Sequence, residues 1–323
     1  MKKFIGNILI FLVILSTVTA AVNFIYGKIT NVDPSTNKFS SIPDTIQICN
    51  FGTSHGMQGF NYEDFESDYD CFNFGLTSQL PSYDYRLFQY YGDHIVEGTV
   101  VFIPVSYISL FGKNEVDSGE FFAKNKRYYS ILPASLIKEY DSEIGIFVKF
   151  LPALTSSTHD LVLTLLGRSE AAYDKTWRAV GTAASISRSA TGRSIAQAGS
   201  KDFYYDEDGN RIENHEEIDA LYALIKGCQE KGAIPILLTT PFTREFTDAV
   251  RENAPDFYDH YYLIIDRITR DTGVEYYDYA FDERFVSAYS WFRNADHLNK
   301  EGARNFTNIL MEEVVYANGY LDK

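Results

Sequence analysis

The chain has 323 residues, a net charge of -15 at pH 7 and a pI near 4.8. Hydrophobic residues make up 45% of it and aromatic residues 15%, which excludes a disordered chain and indicates a folded protein with a large core. So acidic a surface repels phosphate backbones, and nucleic acid is not an expected partner. Cys49, Cys71 and Cys228 form no disulfide framework. Cys49 and Cys71 could pair, but buried free thiols are the favoured interpretation.

The amino terminus predicts a membrane anchor. Lys2 and Lys3 precede an uncharged stretch, Phe4–Gly27, which as a helix would be about 35 Å long and could span a bilayer. Lysines ahead of the apolar run place the bulk of the chain outside the cytoplasm. A signal peptide cleaved after Val18-Thr19-Ala20 is the alternative, but the apolar run continues beyond that site. We therefore expect a single-pass protein of the cell membrane, with residues 1–27 as anchor and residues 28–43 as tether.

After the tether, short apolar runs alternate with helical patterns. The runs predict five strands, at Thr45–Phe51, Asp70–Phe74, Thr99–Val105, Ile234–Thr239 and Val274–Tyr279. The periodic segments predict helices at Gln79–Gly92, at Asn214–Lys231, at Thr247–Thr272 with a break or kink at Pro255, and at Lys300–Asn318 before Gly319. This alternation predicts an α/β fold over residues 44–323, a three-layer sandwich with a central parallel sheet. This alternation is absent between about residues 107 and 213. We interpret that segment as an insertion that packs on the sheet and shapes the substrate cleft.

Two distant segments carry residues suited to serine chemistry. The first strand breaks at Gly52 and presents Ser54 at its carboxyl end, where sites form in parallel sheets. Near the other end of the chain, the segment from Asn294 to Ala303 contains His297. A serine hydroxyl is a poor nucleophile until an imidazole accepts its proton. The pair predicts an esterase or acyltransferase in which Ser54 Oγ lies within about 4 Å of a His297 ring nitrogen.

These segments resemble the conserved blocks of the SGNH/GDSL hydrolase superfamily. Gly52-Thr53-Ser54-His55 is similar to its first block, and Asp296-His297-Leu298-Asn299 is similar to its last. Gly75 matches the block whose backbone N–H joins that of the nucleophile, here Ser54, in the oxyanion hole. The most similar subset is membrane-anchored and includes alginate O-acetylation proteins and the D-alanyl-lipoteichoic-acid transfer protein. The resemblance implies a cell-surface glycan or teichoic acid as substrate and a membrane-bound O-acyltransferase as a partner.

The chain departs from that family pattern at three places. Thr53 replaces the aspartate of Gly-Asp-Ser, and no Gly-x-Asn-Asp block is present. Ser106 follows the third strand where that asparagine would stand, and we expect it to contact substrate. The family's triad acid lies three residues before the histidine, where this chain has Asn294, whereas Asp296 is adjacent to His297. Three alternatives remain open: Asn294 orients His297, Asp296 orients it, or Ser54 and His297 act as a dyad without a third member. Asp296 could instead cap the following helix.

Other polar residues have weaker predicted roles. His55 is adjacent to the nucleophile, so we expect it to point away from Ser54 and to line the cleft or bond to backbone. Lys175–Lys201 carries five cations and no acid, and we expect its Arg188 and Arg193 to bind an anionic polymer or lipid headgroup, with a solvated loop as the alternative. No histidine or cysteine spacing indicates a metal site, and no phosphate-binding loop indicates a nucleotide cofactor.

The sequence leaves the reaction partly open. Water as acceptor would make the protein an esterase and a sugar hydroxyl would make it a transferase, and the residues do not distinguish them. A non-catalytic protein that binds the polymer or the acyltransferase is a further alternative, favoured by Asn294 and by the missing asparagine block. The intact Ser54 and His297 argue against it.

Overall fold

The computed structural model describes residues 2–30, 33–113, 125–155, 162, 166 and 177–322. The chain forms two compact units, one made of residues 1–41 and 116–173 and the other of residues 42–115 and 174–323. The strands are β1 Ile46–Asn50, β2 Cys71–Asn73, β3 Ile95–Pro104, β4 Ile234–Thr239, β5 Glu275–Asp278, β6 Phe292–Asn294 and β7 His297–Leu298. The α-helices of the described residues are α1 Lys2–Ile29, α2 Ser54–Gly59, α3 Pro81–Tyr91, α4 Ser142–Phe150, α5 Ala183–Ser194, α6 Lys201–Tyr204, α7 His215–Glu230, α8 Arg244–Asn253, α9 Phe257–Thr272 and α10 Lys300–Leu310.

The second unit is built on a five-stranded sheet in the order β2-β1-β3-β4-β5, with every neighbouring pair parallel. β4 and residues 100–104 of β3 are nearly continuous apolar runs because both faces of the sheet are covered there. Phe102 of β3 and Ile236 of β4, which are paired in register, are both fully buried. The predicted α/β class with a central parallel sheet is confirmed.

The strand order brings two chain segments to one crevice. The order reverses between β1 and β3, and in such sheets the carboxyl ends of the strands flanking the reversal form a ligand-binding crevice. β1 leads to Ser54, and β3 leads to Ser106. Topology alone therefore places these two serines close together.

The last part of the chain contains His297. β6 and β7 form a two-stranded antiparallel ribbon in which Asn294 is paired with His297, and Asp296 lies in the turn between them. Asn299 caps α10 by accepting a hydrogen bond from the backbone N–H of Gly302, so Asp296 is not the cap of that helix. The predicted closing helix consists of α10 and a π-helical continuation, Met311–Tyr316.

Two other expectations can be compared with the structure of this unit. The long helix predicted up to Thr272 is divided into α8 and α9 around Pro255, which cannot continue a helix. All three cysteines are free; Cys49 and Cys228 are buried, and Cys71 is partly exposed.

The first unit contains α1, which is long and apolar enough to cross a membrane and whose side chains are almost all exposed. The region expected to be a tether includes a 3-10 helix, Pro34–Ser41. Later in the chain, α4 is followed by the short helical segment Pro152–Thr155, which lies against α1 through a hydrogen bond from the Ala153 N–H to Asn23 Oδ1 at 2.9 Å.

Candidate active site

Ser54 stands at the first position of α2, directly after a tight turn. The turn depends on Gly52, whose φ of 108° is a conformation that favours glycine, and the Gly52 N–H donates to Asp84 Oδ1 at 2.9 Å. Thr53 caps α2, since its Oγ1 accepts from the His55 N–H at 3.2 Å. Because Thr53 does the capping, the Ser54 hydroxyl is available for other partners.

His297 is the partner of that hydroxyl. Its Nε2 lies 2.8 Å from Ser54 Oγ, although the two residues are 243 positions apart in the chain. This distance is inside the 4 Å expected for a nucleophile and its base. Burial lowers the pKa of His297 below its usual 6.5, so the ring is neutral near pH 7. If Nε2 accepts the serine proton, Nδ1 carries the ring's own hydrogen.

Both candidates for the residue that orients the imidazole lie next to Nδ1 of His297. Asp296 Oδ1 is 3.0 Å from it and Asn294 Oδ1 is 3.2 Å from it. Asn294 Oδ1 also accepts the backbone N–H of His297 at 2.9 Å, which fixes the amide oxygen toward the ring. Nδ1 of His297 therefore has two oxygen atoms beside it, which a Ser–His dyad without a third member would lack. Asp296 supplies a charge and Asn294 a neutral acceptor.

The Asp296 carboxylate is buried within a set of donors. Arg193 at the end of α5 binds it with two hydrogen bonds, from Nε to Oδ1 at 2.7 Å and from Nη2 to Oδ2 at 2.6 Å. Gln197, in the π-helix Ile195–Gly199, donates a further bond through Nε2. Burial by itself raises the pKa of Asp296, but His297, His55 and the Arg193 guanidinium outweigh it and hold that pKa well below 3.8. Asp296 is therefore ionised.

Arg193 thus has a different environment from the expected one. We expected it to bind an anionic polymer, but its guanidinium is paired with Asp296, and Nη2 also lies 3.2 Å from His297 Nδ1. Arg188 is exposed on α5 and lies outside the cluster, as do the exposed Arg178 and Lys201. Lys175, the remaining member of the basic segment, lies outside the described residues.

His55 and Ser106 belong to the buried support of the site. The His55 ring stacks on that of His297 at 4.5 Å between centroids, and its Nε2 is 3.4 Å from Asp296 Oδ2. Its Nδ1 is 2.7 Å from Ser106 Oγ, which in turn is 2.6 Å from Thr53 Oγ1. His55 is 5% exposed and Ser106 is 1% exposed, so both are as buried as His297 itself. Their hydrogen bonds connect the α2 cap to Asp296, and His55 also borders the narrow crevice beside Ser54; the expected substrate contacts of the two residues stay predictions.

Gly75 is also placed differently from the expected oxyanion donor. It packs against α2 so closely that a Cβ there would lie 2.5 Å from the Met57 nitrogen. Its N–H, however, donates to Asn73 Oδ1 at 2.9 Å. Donation to an oxyanion would require that bond to open. The Ser54 N–H lies in the first turn of α2, where helical N–H groups have no intrahelical acceptor, and it remains the better donor.

Several residues of the site had been given no role by the sequence analysis. Asn50 and Asn73 end β1 and β2, and their amides bond to each other and to the Gly56 carbonyl. Asp84 and Gln197 are likewise buried and bonded to the site's framework. A polar residue ending an apolar strand was the available signal for the two asparagines, whereas Asp84 and Gln197 lie in helices without a distinguishing pattern.

A narrow crevice, too tight to hold a water molecule in this structure, adjoins the Ser54–His297 pair. Its lining comprises Ser54, His55, Gln58, Gly59, Thr240, Pro241, Asp296, His297 and Leu298. Gln58 follows Ser54 by one helical turn and is 3% exposed, and its Oε1 has no hydrogen-bond partner among the described residues. A buried acceptor without a partner is uncommon in folded proteins, and here it borders the nucleophile.

Three of these side chains could also be considered as metal ligands. Donor atoms of His55, Asp296 and His297 lie within 4.8 Å of one another. Asp296 already accepts from Arg193 and Gln197, and His297 Nε2 faces the Ser54 hydroxyl. A guanidinium on the only carboxylate of the set opposes a divalent cation, so these residues do not fit a metal site.

The comparisons with known proteins leave the family open. No protein-family model matches the chain, and no curated protein matches it. Among solved structures, the chain is similar to a protein from Streptococcus pneumonia that is provisionally described as a platelet activating factor. The two are 10% identical with a TM-score of 0.41, and the match covers 94% of this chain and 98% of the other.

Proposed function

We propose that this protein transfers or hydrolyses an O-linked acyl group through a covalent intermediate on Ser54. The observation that carries the proposal is the 2.8 Å contact between Ser54 Oγ and His297 Nε2, with Asp296 Oδ1 at 3.0 Å from Nδ1 of the same ring. This order of hydroxyl, imidazole and carboxylate is the arrangement that serine acyl transfer requires. It is assembled from separate parts of the chain at the sheet's crevice.

The chemistry follows from these contacts. Ser54 Oγ attacks the ester carbonyl carbon while its proton passes to His297 Nε2, and Asp296 stabilises the resulting imidazolium. The tetrahedral oxyanion faces the start of α2, where the Ser54 N–H and the positive end of the helix favour negative charge. As the intermediate collapses, the C–O bond to the alcohol breaks and that oxygen takes the proton from Nε2. A water or sugar hydroxyl then attacks the acyl-serine and gives its proton to Nε2. The bond from the acyl carbon to Ser54 Oγ breaks, Oγ takes the proton from Nε2, and the acid or a new ester is released.

The substrate is proposed from the resemblance to the membrane-anchored subset of the SGNH/GDSL superfamily. We infer a cell-surface glycan or teichoic acid as the acyl-bearing polymer, with a membrane-bound O-acyltransferase as partner. α1 supports this, because a helix of that length and composition could anchor the chain in a membrane.

Labelling with a fluorophosphonate tests the catalytic proposal, since covalent capture requires an activated serine hydroxyl. We expect a single phosphonylated residue, Ser54, and no labelling of Ser54→Ala or His297→Gln. Ser287→Ala is the matched control because Ser287 is exposed and outside the site. Folded wild-type protein that does not react would instead support the non-catalytic alternative, a protein that binds the polymer without acting on it. The engaged N–H of Gly75 is the observation that favours this alternative.

A further inference from the structure

A group of large apolar side chains is exposed in the first unit, on α4 and the segment after it. Ile146 is 58% exposed, Phe147 47%, Phe150 63% and Leu154 62%. Scattered exposed apolar residues are ordinary, but four within nine positions form a patch of the kind that contacts a membrane or a partner. Val148 is the buried residue of α4, so the exposed apolar side chains lie on the faces of the helix that its packing leaves uncovered.

This patch lies beside α1. The Ala153 N–H donates to Asn23 Oδ1 at 2.9 Å, and a Cβ on Gly27 would lie 3.4 Å from Pro152 Cγ. Both contacts are in the carboxyl-terminal half of α1, the half nearer to the rest of the chain. If α1 crosses a bilayer, the segment that touches this half lies at the membrane interface.

A groove of about 730 Å³ separates the two elements. Its α1 wall runs from Leu15 to Lys28, which is about 20 Å at 1.5 Å per residue. One leaflet contributes about 15 Å to the hydrocarbon core, so the groove matches the length of one lipid tail plus the headgroup level. The opposite wall is Lys149–Pro152. The groove is therefore the right length for one phospholipid of that leaflet.

The charges at the groove specify the kind of lipid. Within the described residues its lining holds two cations, Lys28 and Lys149, and no acidic side chain, in a protein with a net charge of -15. Lys28 Nζ lies 5.7 Å from the ring centre of Phe24, and Lys149 Nζ lies 5.5 Å from that of Phe150. Each amine is thus next to an apolar wall, as in long cationic side chains that reach toward headgroups.

We propose that residues 142–155 are a second membrane-contacting element and that the groove between them and α1 binds one anionic phospholipid. The acyl chain lies along Leu15, Phe24 and Phe150, and the phosphate lies between Lys28 and Lys149. The exposed aromatic and aliphatic side chains of α4 enter the same leaflet. The proposal requires α1 to span the bilayer and is independent of the chemistry at Ser54.

Lipid retention tests the headgroup assignment. The full chain is reconstituted in nanodiscs of phosphatidylcholine mixed with phosphatidylglycerol, and native mass spectrometry identifies the lipid that stays bound after release. We expect phosphatidylglycerol to be retained in about tenfold excess over its share of the nanodisc, and Lys28→Gln/Lys149→Gln to lose that excess. Lys201→Gln/Lys226→Gln makes the same charge change in the other unit and should retain it. Retention in proportion to the nanodisc mixture by the wild-type protein would overturn the assignment.

Photolabelling tests the position of the segment. A phosphatidylcholine with a diazirine in its acyl chain is placed in the same nanodiscs, and crosslinked peptides are mapped after irradiation. We expect crosslinks on α1 and on peptides covering residues 146–154. Crosslinks confined to α1 would show that α4 is not in the bilayer, as they would if a helix of a partner protein filled the groove.

Discussion

Replacing Asp296 with asparagine is the sharpest test of how His297 is held. The change keeps the size of the side chain and removes its charge. In the structure the carboxylate accepts from His297 Nδ1, from two nitrogens of Arg193 and from Gln197. An asparagine offers one oxygen to these donors, and its NH₂ group necessarily faces at least one of them.

Two effects of different size follow from this geometry. In serine proteases of the chymotrypsin fold, loss of the triad aspartate costs about 10⁴ in kcat. Asn294 Oδ1 lies 3.2 Å from the same Nδ1 and still favours the correct tautomer, so we expect a smaller loss here, about 10²–10³. The second effect is on stability. Breaking a buried ion pair lowers the free energy of unfolding by about 3–5 kcal/mol, and we expect the lower end of that range because the Arg193 side chain is 35% exposed.

The two effects are measured separately. The second-order rate of fluorophosphonate labelling and the hydrolysis of p-nitrophenyl acetate report the activity, and denaturant unfolding at the same temperature reports the stability. Asn294→Ala is the comparison variant, and we expect it to lose less than about tenfold in rate, since Asp296 remains. If Asp296→Asn stays folded with a rate within about threefold of wild type, the carboxylate does not serve the imidazole and our reasoning is refuted.

Three further predictions follow from other parts of the site. Because burial lowers the pKa of His297, the base stays neutral as the pH falls, and kcat/KM should stay level from pH 8 to below 6.5; an acid limb centred at 6.5 or higher would contradict this. Burial raises the pKa of Asp84 to about 7, so its folded form prefers the proton and stability is lost as pH rises toward 7. Relative to Asp84→Asn, whose amide oxygen still accepts from the Gly52 N–H, the wild type should lose about 2–3 kcal/mol of unfolding free energy between pH 5 and pH 8; equal losses in chemical denaturation would contradict this. Gln58→Leu should change the relative rates on short esters that differ in polarity while fluorophosphonate labelling persists, and an unchanged preference would remove Gln58 from the acyl site.

The sheet could be predicted because its strands are short apolar runs bounded by turn residues, a local signal. β4 and residues 100–104 of β3 show this pattern most clearly, and their burial on both faces is typical of the middle of a parallel sheet. The Ser54–His297 contact could be expected for a related reason. Parallel strands bring their carboxyl ends to one edge, and a residue type with a specific chemistry at such an edge is informative.

The surroundings of Asp296 could not be predicted in the same way. Arg193 precedes it by about a hundred positions, on a helix rich in small residues, and the choice between a polymer and Asp296 as its partner depends on tertiary placement. The Gly75 N–H shows a second limit. Whether it faces an oxyanion or the Asn73 side chain two residues earlier depends on backbone torsions that the sequence pattern does not specify.

The position of the acid and the presence of Arg193 are linked. Adjacent residues of a strand point to opposite faces, so Asp296 can reach the His297 ring only because it lies in the turn of the β6–β7 ribbon. Arg193 holds the Asp296 carboxylate in that turn. A carboxylate at position 294 would be paired with His297 across the ribbon and would need no such support.

Exchanging the two residues, Asn294→Asp with Asp296→Asn, should therefore recover much of the activity lost in Asp296→Asn. On that background Arg193→Gln should cost less than about threefold in rate, compared with about tenfold or more in the wild type, because it no longer holds the acid. Equal costs on the two backgrounds would show that Arg193 acts on the substrate or on the fold and not through Asp296.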